Sequence, residues 1–393
     1  MKRANRIGLV LPNVPGYSET FFNTKIKGLQ ANGYEVILFS NSKSGVQHPT
    51  CKTFFAPNFD VRLSLIVEIF MIVFNCLKAS RPAIDLFRLN RKDGLSVKNS
   101  IKNMFINSHF LPHKLDWLHF GFGTMALQSE NVAEAIGAKM AVSFRGFDLY
   151  IYTAKFPNSY ELLFSKKVRY HVLSDEMKNT LTDAGISEEN ICKITPAIDV
   201  DFFKAGVILP KTDSTVIQFI TVGRLHWKKG IEYTLEAFLI LKKQNISFHY
   251  TVIGEGNEKE KLMFAVHQLG LEGNVTFVGK IEHTKVKYYL EKSDYYLQYS
   301  VQEGFCNAVL EAQAMGLLCI VSDADGLSEN VLNAKTGWVV PKRNPPLLAD
   351  KIVEVISLNE INRLKMEENA MERVKEEFNL VKQTQEFMSF YED

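Results

Sequence analysis

The same βα alternation runs through the chain twice. IGLVL (7–11) is a short apolar run that leads into the loop NVPGYSET, a helix over about 21–32 and a second apolar run, YEVILFS (34–40). Ser18 or Thr20 can cap the helix start, and Gly33 ends it. WLHF (117–120), KMAVSF (139–144) and RYHVLS (169–174) continue the series of strands, with helices between them. At VIQFITVGR (216–224) the pattern restarts and continues through FHYTVIG (248–254), NVTFVG (274–279), DYYLQYS (294–300) and LLCIVSD (317–323), again separated by helical stretches. Strands that alternate with helices pair in parallel, so the chain is read as α/β with two doubly wound sheets facing a cleft. The segment 194–214, with Pro196 and Pro210 and no clear period, is the hinge between them. Beyond Leu347 the sequence is charged and helical without a fresh strand, and its last helix is expected to cross back onto the first domain.

A chain of 393 residues is too long for one comfortable core. Its five cysteines (Cys51, Cys76, Cys192, Cys306, Cys319) have no CxxC spacing, which argues against a disulfide framework or a zinc site and suits a reducing cytosol. A net charge of +2 does not point to nucleic acid, and no nucleic-acid partner is expected. LSLIVEIFMIVFNCL (63–77) falls short of the ~20 residues that span a bilayer. It contains Glu68 and is read as a core helix in preference to a segment lying in a membrane plane.

The chemistry concentrates in EGFCNAVLEAQAMG (303–316). Glu303 and Glu311 bracket a turn from strand to helix. In a parallel sheet that turn lies at the carboxyl edge, where a helix start offers free amides to an anion. Carboxylates on either side of an anion suit neutral hydroxyl groups, so the guest is read as a nucleotide sugar: hydroxyls, diphosphate, hydroxyls. Patterns pointing elsewhere are weak. Asp323-Ala-Asp325 and Asp199-Val-Asp201 have the spacing of a metal-binding pair, but such two-residue patterns are common and no metal ligand is assigned. VIGEGNEKE lacks the third glycine of a dinucleotide fingerprint, and Pro112 separates His109 from His113.

Seven segments together resemble the retaining GT-B glycosyltransferases of glycosyltransferase family four, and within them the bacterial exopolysaccharide (colanic-acid type) transferases. They are PGYSETFF (15–22), HFG (119–121), RGFD (145–148), VGRLHWKKG (222–230), VIGEG (252–256), EGFCNAVLEAQAMG and DGLSENVLNAKTGWVVP (325–341). The resemblance implies an acceptor-side Rossmann-like domain over 1–200, a nucleotide-sugar-binding one over 201–375, and a helix at 376–393 packed on the first. It implies that Arg224 and Lys229 grip the donor diphosphate, that Glu311 accepts from the ribose hydroxyls and that Glu303 lies by the donor sugar. The amides of Gly304, Phe305, Cys306 and Asn307 would meet the diphosphate or sugar, Gly16 would lie near the phosphates, and Lys280 and Ile281 would frame the base. Arg145 stands where many relatives have His. It stays protonated and so serves as a stabiliser of the leaving phosphate, oriented by Asp148. His119 is the nearest remaining imidazole by motif, although a lone His at a strand end is more often structural.

The implied activity is metal-independent transfer of a sugar from UDP or GDP to a hydroxyl acceptor, a lipid-linked or growing glycan, with no cofactor. The rival readings are a GT-B nucleotide-sugar epimerase and a non-catalytic sugar-nucleotide-binding subunit. Between Lys78 and Lys114, eight basic residues face only Asp85 and Asp93. This stretch is read as docking on anionic lipid at the cytoplasmic membrane, with Phe105, Phe110 and Leu111 dipping into the interface.

Overall fold

The computed structural model describes residues 5–16, 20–41, 46–58, 65–204 and 216–392. Ser18 with its neighbours Tyr17 and Glu19, and the hinge residues 205–214, lie outside them. The chain forms two compact units. One comprises Met1–Ile194 with Thr384–Asp393, the other Thr195–Gln383.

The first unit is built on a seven-stranded parallel sheet of β1 (Arg6–Leu11), β2 (Glu35–Ser40), β3 (Lys52–Phe55), β4 (Trp117–Phe120), β5 (Lys139–Ser143), β6 (Val168–Val172) and β7 (Ile191–Lys193), in the order 3-2-1-4-5-6-7. β1 and β2 are buried along nearly their whole length because helices cover both faces of a parallel sheet. The core around Ile7, Leu9, Ile26, Leu38 and Trp117 is completed by Phe387, Phe390 and Tyr391 from the C-terminal helix Leu380–Tyr391. Trp117 Nε1 donates to the Tyr391 carbonyl at 3.1 Å. α1 (Thr20–Ala31) follows β1. Between β3 and β4 lie α2 (Leu65–Lys78), α3 (Ser80–Lys92) and α4 (Val97–Ile106).

The second unit has a six-stranded parallel sheet of β8 (Ile217–Val222), β9 (Phe248–Ile253), β10 (Val275–Gly279), β11 (Tyr295–Gln298), β12 (Leu318–Ser322) and β13 (Gly337–Val340), in the order 10-9-8-11-12-13. In both sheets the strand order reverses beside the first strand, between β1 and β4 and between β8 and β11. Loops leaving the carboxyl ends of those strands open a crevice in which α/β proteins bind ligands.

Two sequence expectations are corrected here. α2 is not a core helix: Ile66, Phe70 and Leu77 are 78%, 67% and 73% exposed, and only Ile72 among its described large apolar side chains is buried. Phe110 and Leu111 cannot dip into an interface, since both are buried, Phe110 against Phe39 and Phe120. Phe105 does reach the surface.

Candidate functional site

Val222, the last residue of β8, hands the chain to Gly223 and Arg224 at the reversal point of the second sheet. Arg224 is exposed. A short 3-10 turn, Trp227–Lys229, follows and ends at Gly230, which has φ +59°; a Cβ there would lie 2.2 Å from the Tyr299 carbonyl oxygen. Gly254 (φ +143°) lets the loop after β9 come so close that a Cβ would meet the Gly223 carbonyl at 1.8 Å. Tight turns and glycine contacts thus fix the path of VGRLHWKKG.

That path brings Lys229 to Glu303, 74 residues away in sequence, with Nζ to Oε2 at 2.5 Å and both side chains largely buried. Burial works against the Lys229 ammonium, but the Glu303 charge and hydrogen bond more than offset it, so its pKa is raised overall. Glu303 is held from three sides. Its amide donates to Asp325 Oδ2 at 3.2 Å, its carbonyl accepts from Gly326 N at 3.1 Å, and Ser300 Oγ donates to its Oε2 at 3.3 Å. Behind Ser300, Gln298 Nε2 donates to Ser300 Oγ at 2.8 Å, and the Tyr296 hydroxyl donates to Gln298 Oε1 at 2.9 Å. This buried polar row was missed from sequence. Its signal is the alternation Tyr296, Gln298, Ser300 within an otherwise apolar strand.

Glu311 sits on the helix Asn307–Ala314 and is buried. Among the described residues its carboxylate meets only His283 Nε2, at 3.9 Å. Burial raises its pKa to about 7, and burial lowers that of His283. His283 opens the helix that follows Lys280 and Ile281, so the loop after β10 and the Glu311 helix converge. Lys280 is exposed and Ile281 half-buried. The run of free amides at 304–307 is broken: Cys306 N donates to Asn330 Oδ1 at 3.0 Å, and Asn330 Nδ2 donates back to the Cys306 carbonyl at 3.0 Å. Cys306 is therefore not an anion donor. Phe305 packs against Phe378, Gly304 is buried, and Asn307 begins the helix.

In the first unit, His119 on β4 is wholly buried. Its Nδ1 is hydrogen-bonded to the Tyr391 hydroxyl at 2.5 Å and lies 3.3 Å from Lys25 Nζ, and its Nε2 bonds Ser143 Oγ at 2.7 Å. Ser143 Oγ in turn bonds His171 Nδ1 at 2.7 Å. His119 is thus a structural imidazole, tied on both nitrogens to buried groups. Lys25, buried beneath the Phe387 ring at 4.0 Å, has its pKa well lowered by burial and by nearby Arg145. Arg145 stacks on Phe21 at 4.4 Å, and its Nη2 is buried with no hydrogen-bond partner among the described residues. Asp148 orients the Arg145 backbone, not the guanidinium: its Oδ2 accepts from Arg145 N at 3.0 Å, and its Oδ1 from Thr124 N and Oγ1, both at 3.1 Å. Gly16 is exposed, and its carbonyl accepts from Asn23 Nδ2 at 2.9 Å.

Three of the four carboxylates in the aspartate pairs accept from backbone amides. Asp323 Oδ1 accepts from Lys342 N, Asp325 accepts from Glu303 N, and Asp199 Oδ1 accepts from the amides of Asp201 and Phe202. Among the described residues no three His, Cys, Asp or Glu side chains cluster as a metal site.

Residues 210–373 match the family model Glycosyl transferases group 1. The chain is 25% identical over 393 residues to an Escherichia coli (strain K12) protein named as a colanic acid biosynthesis glycosyltransferase, WcaL, covering 95% of this chain and 96% of that one. A glycosyltransferase crystal structure from Rickettsia africae ESF-5 superposes with a TM-score of 0.71 at 20% identity, covering 99% of this chain and 98% of that one. The Anabaena protein Alr3699/HepE, crystallised with UDP and glucose, does so with a TM-score of 0.72 at 14% identity, covering 98% of each chain. The two parallel sheets and these similarities give the chain the GT-B fold, and the region similar to the glycosyl transferases of group 1 lies wholly in the second unit.

Proposed function

We propose that the protein moves a sugar from UDP or GDP to a hydroxyl acceptor with retention of anomeric configuration. The observation that carries this reading is the loop cluster at the β8/β11 reversal, where the Lys229–Glu303 pair forms beside Arg224. In this pair each charge neutralises the other. A bound diphosphate takes over the Lys229 ammonium, and Glu303 is released to accept from hydroxyls of the donor sugar. Arg224 supplies a two-pronged guanidinium to the same leaving group. Glu311, buried and without a hydrogen-bond donor among the described residues, is suited to a pair of ribose hydroxyls. As the glycosidic bond breaks, charge accumulates on the diphosphate and these fixed cations stabilise it. The leaving phosphate oxygen then takes the acceptor proton on the same face.

The name of the WcaL relative supports a part in polysaccharide biosynthesis, and the acceptor proposed is a growing or lipid-linked glycan at the cytoplasmic face of a membrane. HepE's complex with UDP and glucose supports a nucleotide-sugar donor. The test is a thermal-shift panel of UDP- and GDP-sugars in excess EDTA. The stabilising donor is then incubated alone and with lipid-linked and free glycan acceptors, and the product anomer is read by NMR. Transfer with retention in EDTA supports the reading. Epimer or glycal formed from the donor alone favours the epimerase, and turnover lost in EDTA but restored by magnesium or manganese overturns metal independence.

A further inference from the structure

α2 is turned the wrong way for a helix of a water-facing surface. Its inward side carries Glu68, Ile72, Asn75 and Cys76, spaced at 0, 4, 7 and 8 residues, all of them buried or half-buried. Its outward side carries Ile66, Val67, Ile69, Phe70, Val73, Phe74 and Leu77, every one exposed. Single exposed apolar residues need no explanation, but a contiguous stripe along a whole helix marks a surface that something covers. At 14 residues α2 is ~21 Å long, short of the ~30 Å of a hydrocarbon core. No helix among the described residues is long and apolar enough to cross a membrane.

What adjoins the stripe is basic. α2 packs on α3, and α3 on α4. Lys78, Arg81, Arg88, Arg91, Lys92, Lys98 and Lys102 are all exposed on these helices. Of the two acidic residues in this stretch, Asp93 is engaged by Lys166 at 2.5 Å, leaving Asp85 between Arg81 and Arg88. Along α4, Lys98, Ile101, Lys102 and Phe105 recur at helical spacing and, with Ile106, line a groove of 390 Å³ with apolar walls and two ammonium groups. Apolar side chains beside an excess of cations match an acyl layer beneath anionic head groups. A two-fold dimer through this face would instead bring one strongly basic flank towards another.

We propose that α2 lies in the plane of an anionic bilayer, its Ile66/Phe70/Phe74/Leu77 stripe sunk into the interface while the basic residues of α3 and α4 bind the lipid head groups. This deepens the lipid-linked-acceptor reading by naming the surface that meets the membrane. Because vesicle binding is measured without donor or acceptor, its failure leaves the transfer chemistry untouched, and inactivity leaves the docking untouched.

The experiment floats the full chain with vesicles of phosphatidylglycerol and phosphatidylcholine, and with phosphatidylcholine alone, across a salt series. Binding to the anionic vesicles that weakens as salt rises is expected. Phe70→Asp with Phe74→Asp is expected to weaken it by ~10²-fold, as is combined Arg81→Glu, Arg88→Glu, Lys98→Glu and Lys102→Glu, by ~10²-fold or more. These side chains are exposed, so the variants should fold, which circular dichroism checks. A separate variant, Leu77→Trp, should gain fluorescence quenched by brominated lipid beyond that of the wild type, which reports insertion without disturbing the stripe. A wild type that ignores anionic vesicles overturns the proposal, as does binding unaffected by the Phe70/Phe74 change. So does a dimer that this change dissociates in a protein with no affinity for lipid, because the stripe is then covered by a second copy.

Discussion

Replacing Glu311 with Gln tests the donor site through its proton. Burial holds the Glu311 pKa at about 7, against 4.5 for a free glutamate. Between those values the folded protein keeps a proton that the unfolded chain has released. Stability from this group therefore falls as pH rises from about 4.5, and it levels off above about 7. At about 1.4 kcal/mol per pH unit, the interval corresponds to a loss of ~3 kcal/mol. Urea denaturation of the nucleotide-free protein from pH 5 to pH 8 should show this slope in the wild type, and it should be absent from Glu311→Gln. A nucleotide whose ribose hydroxyls donate to the carboxylate favours its ionised form. Its affinity should then increase from pH 5 to pH 7 in the wild type, by up to ~10²-fold, and should be flat in Glu311→Gln. Two results would refute the reasoning: a stability slope that survives the substitution, or wild-type nucleotide affinity independent of pH.

Arg224→Ala is expected to reduce turnover by ~10²-fold with little effect on donor KM, since its interaction grows as the diphosphate leaves; a change confined to KM would contradict this. Lys229→Met strands the Glu303 carboxylate and should cost about 3 to 5 kcal/mol in urea unfolding. Adding Glu303→Gln should recover most of that loss, and strictly additive costs would show that the pair is not coupled. Lys25→Met should stabilise the protein near neutral pH. The lowered Lys25 pKa means that the unfolded chain binds more protons below pH 10.5, so stability in the wild type rises with pH through that window, and the variant should lose this rise.

The alternation of apolar runs and helical stretches was enough to read two parallel sheets, because strands covered on both faces leave continuous apolar runs in the sequence. Lys52–Phe55, Ile191–Lys193 and Gly337–Val340 were missed, being edge strands of only four, three and four residues. The bracket formed by Glu303 and Glu311 was legible because both lie within one strand-to-helix turn. The ion pair between Lys229 and Glu303 was not, since only the strand order places those loops side by side. Asp148 was assigned to the Arg145 side chain when it binds the Arg145 backbone, a distinction of side-chain direction that a four-residue motif does not carry. α2 shows the sharpest limit. Hydrophobicity in a sequence says that a face is apolar and does not say what covers it.

The C-terminal helix has a consequence for the order of synthesis. Residues 195–383 form the second unit as one continuous stretch, whereas the first unit waits for Phe387, Phe390 and Tyr391 to fill its core and for the Tyr391 hydroxyl to reach His119. On a ribosome the half that is begun first is therefore finished last. Until then its nascent form leaves Trp117 and the β1–β4 face uncovered, a natural client surface for a chaperone. A stop codon only a few positions before residue 387 would injure the N-terminal half of the protein while sparing the half that it directly follows.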